Sequence, residues 1–301
     1  YEIRLSLVGS EMCIRDRTYP MAWGNSPVKN FKKWRKQARA TVLDAMLAPP
    51  PYTTEYETEI LAEEQREGYQ AKKLCFNLTG YSRVNAYVLI PDGEGPFPAV
   101  VLLHDHGGHY TIGKEKMIRP FGVDKAVLDD ADAWAANCYG GQYAGDYLAA
   151  HGYVVISVDA LYWGERGRKE GADGSKYADN AGNFMMLGRS LSAFMNYEDM
   201  YTTDYLATLP EVDPKRIACM GFSMGGYRAW MLSALSDKIQ VGAAICWMTT
   251  TDCQFSWEYG RERGGFANML PGIRRYLDYP HIASIACPKP CLLYTSPSPR
   301  D

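Results

Sequence analysis

Short apolar runs separated by turn residues recur along this chain and predict buried strands. Such runs lie at 99–103, 153–158, 217–220 and 241–247. The first three are bounded by Gly, Pro or a charged residue, as is typical of strands buried on both faces. Segments long enough for helices separate most of these runs. The pattern therefore predicts a mostly parallel α/β sheet with helices on both of its faces, in a three-layer sandwich.

A helical period of 3.6 residues appears between and before these runs. It predicts helices at 31–47, 143–151 and 185–209, and another directly after Gly226. Asn30 is placed to cap the first of these helices. On the long third helix, Glu198 and Asp199 are expected on the side that faces solvent. Residues 73–78 and 83–90 predict a β-hairpin.

A sharp turn follows the strand at 217–220. Residues 221–226 read GFSMGG, which contains the pattern GxSxG with Ser223 at its centre. Gly221 and Gly225 leave room for a tight turn, and the helix after it directs its free N–H groups toward the serine oxygen. A serine between a strand and a helix in this pattern is typical of a catalytic nucleophile. The alternative is a glycine-rich turn without chemistry.

Composition narrows the possible functions. The 301 residues are 47% hydrophobic and 22% charged, with a formal net charge of −3, which favours a soluble globular protein over a nucleic-acid or membrane-surface binder. No apolar run approaches the length of a membrane span. The eight cysteines form no zinc-type pairs and are predicted to be free thiols in a reducing compartment. We therefore favour a cytoplasmic protein, although a signal peptide could have preceded the given sequence.

Both ends of the chain differ from the rest. Residues 1–17 (YEIRLSLVGSEMCIRDR) and 291–301 (CLLYTSPSPRD) resemble peptides translated from sequencing adapters at the edges of assembled fragments. We expect both to be non-native and the natural C-terminus to be missing. Between them we predict an N-terminal helical extension at 18–57 and a C-terminally incomplete α/β domain at 58–290.

Four segments carry a resemblance to a known family. They are VVLLHDHGG (100–108), VISVDALYWGERG (155–167), EVDPKRIACMGFSMGG (211–226) and DYPHIASIACPKP (278–290). Together they resemble the α/β-hydrolase superfamily and, within it, the dienelactone-hydrolase and acetyl-xylan-esterase branch. The resemblance implies ester hydrolysis through an acyl-enzyme, without a cofactor. The substrate it implies is a small acyl ester, with acetylated carbohydrate as one candidate.

The resemblance also implies roles for particular residues. Ser223 would be the nucleophile, and the backbone N–H groups of Met224 and His106 would form the oxyanion hole. Asp105 departs from the family pattern, because related loops often carry Gly after the first His.

An acid and a base are harder to assign. In this superfamily the chain order is Ser, then acid, then His, which makes Asp252 and His281 the candidates that follow Ser223. The alternative, which we favour, is that the acid and the His lie beyond the strand expected near Pro288 and were lost with the native C-terminus. The chain would then be a catalytically incomplete fragment.

Two other classes of function compete with ester hydrolysis. His104, His106 and His109 directly follow an apolar strand at a spacing found in zinc hydrolases, although Gly108 stands where such motifs usually have Asp. A non-catalytic binding protein with the same fold is the second alternative.

The loops after the strands supply two further expectations. Asp159, Glu165 and Arg166 are expected to form an ion network that fixes a loop rather than to act in catalysis. Four aromatic residues of the loops are predicted to wall a pocket suited to a sugar ester: Tyr139, Tyr143, Tyr162 and Trp163.

Overall fold

An eight-stranded mixed sheet forms the centre of the computed structural model, which describes residues 18–167, 173–255 and 265–294. The strands are β1 (Glu59–Arg66), β2 (Tyr69–Thr79), β3 (Ser82–Pro91), β4 (Phe97–Leu103), β5 (Val154–Val158), β6 (Val212–Phe222), β7 (Ile239–Ile245) and β8 (Cys291–Tyr294). Their order is β1-β2-β3-β5-β4-β6-β7-β8. The three pairings from β1 to β5 are antiparallel and the four from β5 to β8 are parallel.

Helices connect the strands. They are α1 (Phe31–Met46), α2 (Lys125–Cys138), α3 (Ala144–Ala150), α4 (Gly174–Met186), α5 (Leu191–Leu206), α6 (Met224–Leu235), α7 (Thr251–Phe255) and α8 (Tyr279–Ala283). Single 3-10 turns lie at Lys114–Lys116, Gly164–Arg166, Phe266–Asn268, Ile273–Arg275 and Ser284–Ala286. Among the described residues, no helix combines the length and the apolar character that crossing a membrane requires.

The alternation of side chains along β4 shows how the layers are arranged. Val101 and Leu103 belong to a core cluster shared with α1, α5 and α6, whereas Val100 and Leu102 belong to a cluster shared with α3. Successive residues of a strand point to opposite faces, so helices cover the sheet on both sides. The predicted three-layer α/β architecture is confirmed.

The first helix packs on the sheet core. Asn30 caps it as predicted, because its side chain accepts a hydrogen bond from the Lys33 backbone N–H at 2.9 Å. Trp34 is fully buried, and its indole N–H donates to the Met21 carbonyl at 2.7 Å. The segment predicted as an N-terminal extension therefore buries its apolar face in the same core as β4.

The helices between β5 and β6 differ from the prediction. The segment expected as one helix at 185–209 contains the last residues of α4 and the whole of α5, because Gly188 at φ 70° follows the end of α4 and Ser190 caps α5 through the Ala193 N–H at 3.0 Å. Helix α2 lies in a stretch for which no helix was predicted. Its one-sided pattern is weak because it buries little more than Ala131 and Ala135.

Glu198 and Asp199 were wrongly expected on a solvent-facing side. Both are 3% exposed, because neighbouring elements enclose α5 over most of its circumference. Glu198 binds the Arg166 guanidinium at 2.6 and 2.7 Å, and Asp199 binds that of Arg228 at 2.5 and 2.9 Å. Each pair is bidentate, a geometry that suits the fixed fork of a guanidinium.

Part of the C-terminal stretch that was set apart from the domain belongs to the sheet. Residues 291–294 form β8, which pairs in parallel with β7 from Gly242↔Cys291 to Ile245↔Tyr294. The remainder of that stretch, 295–301, lies outside the described residues, as do residues 1–17.

We predict that Asp199→Ala lowers the free energy of unfolding by about 3–5 kcal/mol, because it leaves the buried Arg228 guanidinium without its counter-charge. Urea unfolding monitored by circular dichroism measures this loss. The control is Asp129→Ala in the exposed Lys125–Asp129 pair, for which less than about 1 kcal/mol is expected. Equal losses in the two variants would contradict the prediction.

Candidate active site

Ser223 lies between β6 and α6 in a conformation that side chains rarely adopt. Its φ is 54° and its ψ is −119°, and its backbone N–H donates to the Ile245 carbonyl at 2.8 Å. Non-glycine residues at such angles are strained and concentrate at functional sites. The side chain is half-buried, and none of the described residues is hydrogen-bonded to its hydroxyl.

The glycines around Ser223 are required by close backbone contacts. A Cβ on Gly221 would overlap the Gly225 carbonyl, and a Cβ on Gly225 would overlap the Leu103 carbonyl at the end of β4. The start of α6 therefore lies against the end of β4. This contact brings Ser223 toward the loop that follows β4, which begins at His104.

His104 is a fixed, neutral side chain of that loop. Its ring is fully buried, with Nε2 accepting from the Ala160 N–H at 2.9 Å and Nδ1 donating to the Asp105 carbonyl at 2.8 Å. Burial, together with the charges of Arg228 and Lys116, holds the pKa of His104 well below its usual value. Both ring nitrogens are occupied, so the imidazole ties the loop to the chain after β5.

Asp105 anchors the same loop from within. Its carboxylate is 1% exposed and accepts hydrogen bonds from the Trp134 indole at 3.1 Å and the Tyr139 hydroxyl at 2.7 Å. Lys116 lies 3.4 Å from the other carboxylate oxygen. The residue that departs from the family pattern is thus a buried loop anchor.

His106 and Met224 border one aromatic cluster. Met224 packs with Trp163 and Tyr177, and both of these rings contact the His106 imidazole, with centroids 5.0 and 5.2 Å from it. The Gly108 N–H donates to His106 Nδ1 at 3.0 Å. Burial, and then the charge of Lys116, lowers the pKa of His106 to about 4. The ring is therefore neutral at physiological pH.

Two backbone N–H groups, those of Met224 and His106, are candidates for binding a substrate oxygen. Met224 is the first residue of α6, so its N–H has no partner within the helix. Among the described residues none accepts a hydrogen bond from the His106 N–H. They are the groups predicted from the sequence to form an oxyanion hole, and that role stays a prediction.

Asp252 and His281 have other partners. Asp252 binds Arg274 at 2.8 Å. His281 Nδ1 accepts from the Asp278 N–H at 3.0 Å and completes a capping box at the start of α8. No hydrogen bond joins Asp252 to His281, or either of them to Ser223.

The histidine cluster does not form a metal site in the part of the chain that the structure describes. Both nitrogens of His104 are occupied, and His109 Nε2 lies 2.7 Å from Asp130 while its ring stacks on Trp134. His106 faces the aromatic cluster. The three imidazoles thus have separate partners, and their nitrogens do not converge. The zinc alternative has no support from this arrangement.

Three carboxylates do converge, on a lysine. Glu115, Asp159 and Glu165 lie close enough to share a cation, and Lys114 Nζ binds them at 2.7, 2.8 and 2.7 Å. Burial alone would lower the pKa of Lys114, but the carboxylates outweigh it and raise the pKa well above its usual value. The ammonium therefore fills this place. With the Arg166–Glu198 pair, it forms the loop-fixing network expected from the sequence.

The predicted aromatic pocket wall is not formed by the expected residues. Tyr143, Tyr162 and Trp163 are buried, and Trp163 is fully enclosed. Tyr139 is half-buried, with its hydroxyl on Asp105. Tyr143 packs with Ala131 and Ala135 of α2, whereas Tyr162 and Trp163 belong to the aromatic cluster around Tyr177, so these rings contribute to packing.

Lys116 was not predicted from the sequence as a site residue. Its ammonium group is buried and binds several atoms of the loop after β4. The local sequence KEK resembles an exposed charged turn, so the residue types carry no signal of burial. Its partner carboxylate, Asp105, is eleven positions away in a segment with a different pattern.

Strand order, helix placement and the strained serine together define an α/β hydrolase. Residues 17–301 match the model of the abhydrolase family, and the chain belongs to this family. The predicted superfamily and fold are thereby confirmed.

Known proteins similar to this chain are hydrolases by name. "Putative hydrolase YtaP" of Bacillus subtilis (strain 168) is 28% identical over 255 residues, which cover 84% of this chain and 78% of that protein. The structure of a "putative acetyl xylan esterase" from Bacteroides fragilis NCTC 9343 superposes with a TM-score of 0.77 at 21% identity, covering 94% and 73% of the two chains. A glucuronoyl esterase from Solibacter usitatus gives a TM-score of 0.57 at 14% identity, covering 89% of this chain and 76% of that chain. At these identities, the two structures share the fold.

We predict that Gly225→Ala destabilises the protein by about 3 kcal/mol, because the new methyl group overlaps a backbone carbonyl that is held in the sheet. Thermal and urea unfolding measure the effect. Gly182 in α4 has open space around its Cα, so Gly182→Ala is the matched control and should be neutral or stabilising by up to about 1 kcal/mol. A Gly225→Ala variant as stable as this control would contradict the contact.

We predict that His106 makes stability fall with acid between pH 6.5 and pH 4. Its pKa of about 4 in the folded protein is below the value of 6.5 expected when unfolded, so the unfolded chain binds the proton first as the pH falls. His106→Asn should reduce the slope of unfolding free energy against pH by up to about 1.4 kcal/mol per pH unit in this window. His151→Asn, at an exposed imidazole, is the control. An unchanged slope in His106→Asn would show that the folded protein binds this proton as readily as the unfolded chain.

Proposed function

We propose that this protein is a serine carboxylic-ester hydrolase that acts through an acyl-enzyme, with Ser223 as the nucleophile. The observation that carries the proposal is the strained Ser223, whose hydroxyl has no described partner at the N-terminus of α6. Membership in the abhydrolase family supports it. So do the names of the similar structures, several of which are esterases.

In the proposed reaction, the Ser223 hydroxyl attacks the acyl carbon of the ester. The carbonyl oxygen gains negative charge, which the N–H groups of Met224 and His106 and the positive end of the α6 dipole would stabilise. The alcohol then leaves with the proton taken from the serine. Water hydrolyses the acyl-serine in a second step of the same kind and releases the acid.

Asp252 and His281 do not serve as the acid and the base in the proposed mechanism. Using them would break the Arg274–Asp252 ion pair and the capping box of His281. Both interactions are satisfied where they stand.

The proposed substrate is a short acyl ester, with acetyl groups on carbohydrate as the leading candidate. Acetyl xylan and glucuronoyl esterases are named among the structures of the same fold. Met224, the residue after Ser223, packs with the buried rings of Trp163 and Tyr177, and this enclosed setting favours small acyl groups over long chains.

We predict that a fluorophosphonate probe labels Ser223, because a serine with adjacent oxyanion donors reacts with phosphonyl groups as it does with esters. Intact-protein mass and peptide mapping locate the label. Ser223→Ala should abolish it and lower kcat/KM for p-nitrophenyl acetate by at least about 100-fold. Ser175→Ala, at an exposed serine of α4, is the matched control and should change neither.

Substrate preference is tested on the same preparation. Acetyl esters should react faster than palmitoyl esters, and acetylated xylan should release acetate. Comparable rates on both ester lengths without acetate release would contradict the substrate. A correctly folded protein in which Ser223 stays unlabelled would overturn the enzymatic proposal and favour a binding protein of the same fold.

A further inference from the structure

We propose that Lys116 is a positioning residue of the acyl-transfer site, which directs the backbone N–H of His106 toward the reacting oxygen. The inference rests on the proposed function of Ser223, and it adds a residue that no motif of the sequence marks. Lys116 lies in the 3-10 turn Lys114–Lys116, outside the loop that it would position.

The Lys116 ammonium group binds several groups of the loop after β4. Its Nζ donates to the carbonyls of Asp105 at 3.2 Å, His106 at 3.3 Å and His109 at 2.9 Å. It also lies 3.4 Å from the Asp105 carboxylate and 4.9 Å from the centre of the Trp134 ring. With the residue 1% exposed, these contacts replace the water that an ammonium normally binds.

The contact with the Asp105 carbonyl determines where the His106 N–H points. The two groups belong to one peptide unit, and in a planar trans peptide the C=O and N–H point in opposite directions. Lys116 Nζ and His104 Nδ1 both donate to the Asp105 oxygen, at 3.2 and 2.8 Å. Holding this oxygen on one side therefore directs the N–H to the other side.

Side chains rather than strand pairing hold the loop: besides Lys116, they are the anchors His104 and Asp105 and the Trp163 indole, which donates to the His106 carbonyl at 3.3 Å. The loop follows the end of β4, so it has no strand partners, and Gly107 and Gly108 have φ values of 58° and 65° that bend the chain sharply. A flexible N–H would have to be ordered during the reaction, whereas a fixed donor needs no reorganisation. A single cation shared by three carbonyls of the loop is suited to this task.

The turn that carries Lys116 is attached to the end of strand β5. The Lys114 backbone N–H donates to Asp159 at 2.6 Å, directly after β5, and the Lys114 ammonium binds the same carboxylate. The short turn that carries Lys116 is thus fixed at its first residue. The connection runs from the end of β5 through this turn and Lys116 to the His106 peptide.

The positive charge of Lys116 also affects the protonation of His106 in the loop. It contributes, after burial, to the lowered pKa of His106. Asp105 balances it locally, which avoids an isolated buried charge. This electrostatic effect provides a measurement that does not depend on catalysis.

The test is Lys116→Met, which keeps the length and apolar part of the side chain and removes the ammonium. With p-nitrophenyl acetate, kcat should fall about 10- to 100-fold while KM changes less than about 2-fold, because the oxyanion contact strengthens in the transition state. The control is Lys73→Met, which removes another buried ammonium, bound to Glu165 at 2.8 Å and without contact to the loop. Lys73→Met should keep kcat within about 2-fold.

A second variant serves if Lys116→Met does not fold, since it leaves Asp105 unpaired. Lys116→Met with Asp105→Asn removes both charges, and it is compared with Asp105→Asn alone. The double variant should show the additional loss of kcat. Equal kcat values in these two proteins would overturn the inference.

Titration of His106 by NMR separates this inference from the proposed function. Replacing Lys116 by Met should raise the His106 pKa toward its usual value whether or not the protein hydrolyses esters. If Ser223 is required but Lys116→Met retains kcat and the His106 pKa, only the role of Lys116 is wrong. If Ser223→Ala retains full activity, the proposed function itself is wrong.

Discussion

The contact between the start of α6 and the end of β4 is the constraint on which the rest of the site depends. No side-chain atom fits between Gly225 and the Leu103 carbonyl, so the helix begins where the strand ends. The chain turns into the helix at Ser223 with a positive φ, and the first turn of α6 lies beside the start of the loop after β4. Moving the helix away by the width of one methyl group would separate this turn from the loop.

Buried charged side chains hold the loops that lie beyond the ends of the strands. The loops after β4 and β5 lack the regular backbone hydrogen bonds that join paired strands. Lys114, Lys116 and Arg166 bind the carboxylates and carbonyls of these loops instead. Each cation has at least one carboxylate partner, so burial leaves no isolated charge. Apolar packing would stabilise these loops as well, but it is not directional. Hydrogen-bonded ion pairs also specify the orientation of individual peptide units.

The sequence predicted the parts of the molecule that local chemistry decides. The runs at 99–103 and 217–220 lie within β4 and β6, because a short apolar run is stable in a strand that is buried on both faces of a sheet. The turn at Ser223 was recognisable because its glycines are required by backbone contacts. Buried ion pairs were not recognisable, because a charged residue resembles a surface residue until its partner is known. Arg166 and Glu198 are 32 positions apart, and Lys116 lies beyond the loop it binds.

The enclosure of these ion pairs has a consequence for the ionic strength that the site tolerates. Dissolved ions screen charges that water separates, over a distance of about 8 Å at physiological salt. The Arg228–Asp199 and Lys114–Asp159 pairs exclude both water and ions from their contacts. Concentrated salt would therefore weaken the exposed pairs of the surface, such as Lys125–Asp129, and leave the interior pairs intact. We therefore expect the geometry around Ser223 to change little with ionic strength.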